Sequence, residues 1–210
     1  LLDWLAVEFR DGGGSLKILH RLIVTSTAYR RASVERETSN ALHDADNLYL
    51  WRANRRRLEA EELRDALLYI AGRLDAMMYG PSFQDFVIDK PQHSPHYEYH
   101  LADPDDPRIH RRSIYRFLVR SQPQPFMATF DCADPSMQVD KRTESYSALQ
   151  ALALLNNGLT VTMAKHFAAK LAKRGGTLDE QIARGFYEAV GRLPGDDERR
   201  ALVAYAAEHG

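Results

Sequence analysis

The sequence predicts a mainly α fold: a multi-helix globular domain with a long irregular central segment and at most a short β-hairpin. Three observations predict it. Apolar residues recur at helical spacing through most of the chain. Capping patterns and glycines punctuate those stretches. Residues 79–110 break the pattern with proline, histidine, tyrosine and aspartate. The 210 residues are 44% hydrophobic and 27% charged, values of an ordinary globular chain long enough to bury a core without disulfides.

In order, "LLDWLAVEFR" places Leu1, Leu2, Leu5, Ala6 and Phe9 on one helical stripe, and "DGGG" ends it. Ser15 is the N-cap of a second helix with Leu16, Leu19, Ile23 and Ala28 facing inward. Residues 31–46 are polar and read as a loop. Residues 58–78 form the clearest helix, with Leu63, Ala66, Leu67, Ile70, Leu74 and Met78 as its apolar stripe. Within 79–110, an irregular insertion, only "FQDFVID" can pair as a short strand. "SIYRFLVRS" reads as a helix, with Arg112, Arg116 and Arg120 on one side, and 121–145 as a loop. Ser147 and Gln150 make a capping box for "ALQALALLNN", which Asn156-Asn157-Gly158 breaks before "LTVTMAKHFAAKLAK". Thr177 and Glu180 make another after Gly175-Gly176, and Asp196 starts the last helix. The expectation is a single helical domain over 1–210.

A formal net charge of −1 gives no global field for nucleic acid or anionic membrane, and no apolar run is long enough to span a bilayer. One cysteine excludes an internal disulfide and a C-x-x-C-H haem attachment. G-x-S-x-G, the P-loop, G-x-G-x-x-G and H-E-x-x-H are all missing. No cofactor is expected within this chain.

"FMATFDCADPS", residues 126–136, holds the cysteine between two aspartates. Cys132 is a candidate nucleophile, but Asp131 and Asp134 oppose a thiolate, so a small inert thiol is expected. Asp131 and Asp134 themselves are candidate acid–base carboxylates or hard-cation ligands, set against the turn chemistry that Asp134-Pro135 favours. The candidate cleft or structural network is Arg112, Tyr115, Arg116, Phe130, Asp131, Cys132, Asp134 and Arg142, with the turn braced by arginine. A secondary network, Arg56, Arg57, Glu61, Arg64 and Asp65, comes from "WRANRRRLEAEELRDA". Its acids offset its bases, as ion pairing around a helix start requires and a nucleic-acid patch does not. His93, His96 and His100 carry a spacing that can supply imidazoles to zinc or copper, but the proline-rich surroundings favour a solvated loop, and no metal is expected.

Several segments together carry a resemblance: "LLDWLAVEFRDGGGSLKILHRLIVTSTAYR", "LWRANRRRLEAEELRDALLYIAGRLD", "HRRSIYRFLVRSQPQPFMATFDCADPS", "YSALQALALLNN" and "AVGRLPGDDERRALVAYA". Almost the whole chain resembles the planctomycete cytochrome-c-associated PSD-type domain, the domain of unknown function fifteen fifty-three. Lys141-Arg142 matches a basic pair of that family. Ser147-Ala148 stands where the family has Thr-Pro, and 79–109 does not match closely. The resemblance implies a C-terminal piece of a larger exported bacterial protein, periplasmic or at the cell surface, with haem c in an upstream domain. It brings no established catalytic residues.

Two functions fit these features. One is a structural module that positions a haem domain or another part of the same polypeptide. The other is a catalytic or carbohydrate-binding domain, with an Arg/Asp-lined cleft acting on a polysaccharide. Arg112 and Arg142 each taken up by a buried carboxylate would favour the first; a deep pocket holding the candidate residues together would favour the second.

Overall fold

Helix starts follow the capping chemistry. In the computed structural model, which describes residues 1–33, 39–90, 94–138 and 140–209, Ser15 accepts the Ile18 N–H at 3.5 Å. Ser147–Gln150 and Thr177–Glu180 both close reciprocal capping boxes. A third box, Glu59–Glu62, opens the central helix; glutamate at the cap position hid it from the Ser/Thr pattern.

The chain separates into two compact units, Leu1–Arg57 and Leu58–Gly210. In the first, α1 (Leu2–Asp11) packs on α2 (Leu16–Thr25). Neither helix holds a fully buried residue, and Leu16, expected to face inward, is 61% exposed. A one-turn helix, α3 (Ser39–His43), lies in the stretch that reads as a loop. The carboxylate of Asp44 then accepts the N–H groups of Leu48 and Tyr49, and its carbonyl accepts the Trp51 indole N–H.

The second unit is arranged around α4 (Ala60–Ile70). Ala60 near one end packs with Phe126, Met127 and Phe130. Leu68 near the other packs with Ala71 and Met163. This helix is shorter than the expected 58–78. It stops because Gly72 takes φ +72, a left-handed conformation that side chains with a Cβ resist. Lys170 also reaches across to donate to the Ile70 carbonyl at 2.8 Å.

Beyond Gly72 the chain runs irregularly but inward. Phe83, Phe86, Ile109 and His110 from segment 79–110 are all buried. β1 (Val87–Asp89) pairs antiparallel with β2 (His96–Glu98), Ile88 opposite Tyr97. Phe86 meets Tyr97, Tyr99 and Phe117 edge-on, with centroids 5.1, 5.5 and 6.0 Å away.

"SIYRFLVRS" is not the expected helix. Only Ser113–Tyr115 make a 3-10 turn; the chain is then extended, and Phe117 N–H bonds the Phe83 carbonyl at 2.8 Å. Backbone pairing with Phe83 outweighs a local helical preference that was weak in a stretch rich in aromatic and β-branched residues.

The remainder is helical: α5 (Pro125–Thr129), α6 (Ala148–Asn156), α7 (Gly158–Lys173), α8 (Leu178–Val190) and α9 (Asp196–His209). α5 falls within the expected 121–145 loop. Consecutive helices from α5 to α9 pack on one another, and α4 packs on α5 and α7. No helix among the described residues is long and apolar enough to cross a membrane.

Leu68 is fully buried between α4 and α7. Leu68→Ala is therefore expected to lower unfolding free energy by about 2–5 kcal/mol, the range for a buried leucine truncation, measured by urea unfolding. A loss under about 1 kcal/mol would contradict the placement of this side chain in a packed core.

Candidate functional site

The 126–136 stretch is a helix end. Asp131 takes φ 61, and Cys132 N–H reaches back to the Met127 carbonyl at 3.0 Å, closing α5 in a Schellman-like turn. Glycine is the usual residue there. Aspartate is used here for its carboxylate, which accepts Ser145 N–H at 2.8 Å, Ser145 Oγ–H at 2.8 Å and Gln150 Nε2–H at 3.3 Å. Asp131 thereby ties the end of α5 to the start of α6. Asp134 bonds the Ser136 N–H at 2.8 Å, an aspartate turn on the surface.

Cys132, Arg142 and Glu61 come together beside this turn. Arg142 grips Glu61 with both arms, at 2.7 and 3.1 Å, and lies 3.1 Å from Glu59. Glu61 Oε1 accepts the Cys132 thiol at 3.5 Å. Burial pushes Glu61 up, but the Arg142 hydrogen bonds and charge outweigh it and hold the carboxyl below its ordinary value. Burial pushes the thiol up, and the adjacent Glu61 carboxylate adds to it. Phe130 packs beneath, in the cluster that Cys132 borders.

Asp65, Arg112 and Tyr115 have separate partners. Asp65 accepts both the N–H and the Oγ–H of Ser113 at 2.7 Å, with Arg112 Nε 3.8 Å away. Tyr115 Oη accepts the Tyr79 N–H at 2.8 Å, and its ring lies under the Arg111 guanidinium. Arg56 and Arg57 close the first unit. His93 lies outside the described residues. His96 opens β2, and His100 Nδ1 is 3.3 Å from Glu98. Among the described residues no group of histidine, cysteine or carboxylate side chains could hold a metal ion.

Arg64 is buried in the interior. It donates to the carbonyls of Ile109 and of Arg111, the latter at 2.9 Å, and to Ser113 Oγ at 3.3 Å. Its guanidinium stands 4.9 Å from the Phe83 ring centroid. Burial lowers it to about 10, which still leaves it charged at neutral pH.

Beside Arg64 is a cavity of about 370 Å³, within the size range of small-molecule sites. Asp85, Tyr99 and Gln124 line it with Arg64, and Ile109, Phe126 and Leu159 supply apolar wall. Asp85 and Arg116 form an ion pair across 3.8 Å with both side chains more than nine-tenths buried. Asp85 Oδ1 is buried without a hydrogen-bond partner. Burial pushes the Asp85 carboxyl up against the pull of Arg116 and Arg64, and burial together with Asp85 raises Tyr99. Of these residues the sequence pointed to Arg64 and Arg116 but not to their shared partner. The available signal was Asp85 itself, a carboxylate in the aromatic run "FQDF".

Cys132 should be alkylated by iodoacetamide near pH 8 more slowly than a free thiol, since burial and the Glu61 carboxylate both disfavour the thiolate. Glu61→Gln should speed it. Labelling as fast as a free thiol in the native protein would contradict this placement. The two perturbed carboxylates should act on stability with opposite sign. Glu61 contributes stability that is full above its ordinary 4.5 and is lost as pH falls through its lower native value. Asp85 keeps its proton longer in the native state, so stability declines as pH rises from its ordinary 3.8 through the higher native value. Urea unfolding across acid pH should show a flatter acid limb for Glu61→Gln and no decline from this source for Asp85→Asn. The same pH slope in both variants and the parent would rule this out.

No curated protein and no solved structure matches the chain. A family model, PSD1, described as "Protein of unknown function (DUF1553)", matches residues 1–206. With 206 of its 210 residues matched from the first helix into the last, the chain belongs to this PSD1 family of unknown function.

Proposed function

We propose that this chain is a positioning module, a helical part of a longer exported, cytochrome-c-linked bacterial protein that docks against another domain of the same polypeptide. The observation that carries the docking role is α6. Leu149, Leu152 and Leu155 recur on one side of it and are 61%, 53% and 73% exposed. Three leucines in a stripe on a nine-residue helix are a contiguous apolar surface of the kind that marks an interaction site. Two further observations agree with a non-catalytic role. Arg142 is engaged by Glu61 and Glu59, and Arg112 sits beside Asp65. The thiol of Cys132 is held protonated rather than activated. The exported, haem-linked setting is supported by the resemblance of the sequence to domains of such proteins, and haem c would belong to an upstream domain.

Cross-linking of the full-length host protein tests the reading. Leu152→Ser with Leu155→Ser should cut cross-links between this domain and the rest of the polypeptide several-fold. Melting of the domain should change little, because these side chains are already in water and surface changes typically fall within about 0.5 kcal/mol. Unchanged cross-linking would remove α6 as the docking face.

A further inference from the structure

The cavity beside Arg64 is independent of the α6 face, and its chemistry selects a ligand. We propose that it binds a neutral, polyhydroxylated small molecule, with Asp85 accepting a ligand hydroxyl.

Charge narrows the choice first. A cationic ligand would enter a space that already holds the Arg64 guanidinium, with Arg116 3.8 Å from Asp85. An anion could meet the guanidiniums but brings no hydrogen to the unpartnered Asp85 oxygen. A neutral hydroxyl meets no such repulsion, and it both donates and accepts. The cavity offers partners for both roles. Asp85 Oδ1 is a buried acceptor without a donor, a costly state that a ligand hydroxyl would relieve. Two amides supply donors. Gln124 has its oxygen turned to the Met127 N–H at 2.7 Å, and Asn157 has its oxygen turned to the Leu159 N–H at 2.9 Å. The –NH2 end of each side chain is left to donate.

The walls complete the match. Pro104, Pro125, Ile109 and Phe126 present apolar surface, suited to the C–H faces of a polyol ring. The first residue of α7 is Gly158, whose missing side chain keeps this edge of the cavity open. A Cβ there would stand 4.0 Å from Pro104 Cγ.

Saturation-transfer NMR on the 210-residue chain is the test, with myo-inositol and methyl glucoside as neutral probes. Inorganic phosphate and tetramethylammonium compete as anion and cation. At least one polyol should bind, with Kd on the order of millimolar, as a few polar contacts on a small ligand allow. Asp85→Asn should weaken it by about tenfold or more, the scale of a hydrogen bond to a charged acceptor. Gly158→Leu should abolish it by filling the cavity from a helical position that accepts a side chain, with an unchanged circular dichroism spectrum. If Asp85→Asn does not fold, the Gly158 variant decides alone. Absence of saturation transfer to either polyol, displacement by phosphate or tetramethylammonium, or equal binding by a folded Gly158→Leu protein would each overturn the proposal.

Discussion

The buried guanidinium of Arg64 is the contact on which the larger unit depends. It leaves the middle of α4 and ends on the carbonyls of Ile109 and Arg111, residues 45 and 47 positions further along. The chain between has little regular structure, so its backbone carbonyls lack the ladder that a sheet would supply, and buried carbonyls need donors. Arg111 repeats the device, donating to the carbonyls of Pro81, Met77 and Tyr79 while stacking on Tyr115. Two planar donor forks thus do what strand pairing does elsewhere. Lysine could not replace them, since one ammonium lacks the fixed, divergent donors and the flat face that stacks on a ring. The insertion-like segment is folded inward because arginine organises it.

The cost of this arrangement is charge in the interior, and the balance is uneven. Glu61, partly exposed, has an arginine in two-armed contact and is held ionised. Asp85, almost fully buried, has two arginines nearby but a closest contact of 3.8 Å and no hydrogen bond to Oδ1. Opposite charge stands 2.7 Å from Glu61 but 3.8 Å from Asp85. Distance, hydrogen-bond geometry and solvation together send the two carboxyls in opposite directions. A domain can therefore use one acid as a brace and keep another in a state sensitive to whatever enters the cavity.

The sequence shows local structure better than it shows the site. Ser15, Ser147 and Thr177 announce their helices because capping is decided within four residues. The break at Asn156-Asn157-Gly158 and the start at Asp196 are legible for the same reason. "SIYRFLVRS" misleads because its conformation is set by Phe83, thirty residues earlier, through backbone pairing that leaves no pattern in the side chains. The early end of α4 is written in Gly72, but the apolar residues beyond it extend the helical period and mask the stop. Glu61 and Arg142 are each visible, yet only the fold says that they belong to one another. Asp85 is missed because a lone carboxylate in a strand-like run carries no spacing motif; its meaning comes from Arg64, Arg116 and the walls that bury it.

Lys170 links three helices at one atom. Its ammonium donates to the last carbonyl of α4 and to Glu188 of α8, and Glu188 also holds Arg174. α9 packs on α8, farther from α4. Helices α7, α8 and α9 are thus arranged in series, each leaning on the one before it. Such a series opens from the helix farthest from α4. Amide hydrogens of α9 should exchange first, those of α8 when the Lys170 clasp lets go, and those of α4 only when the whole unit unfolds. The clasp divides a peripheral layer, able to yield without loss of the core, from a centre that cannot.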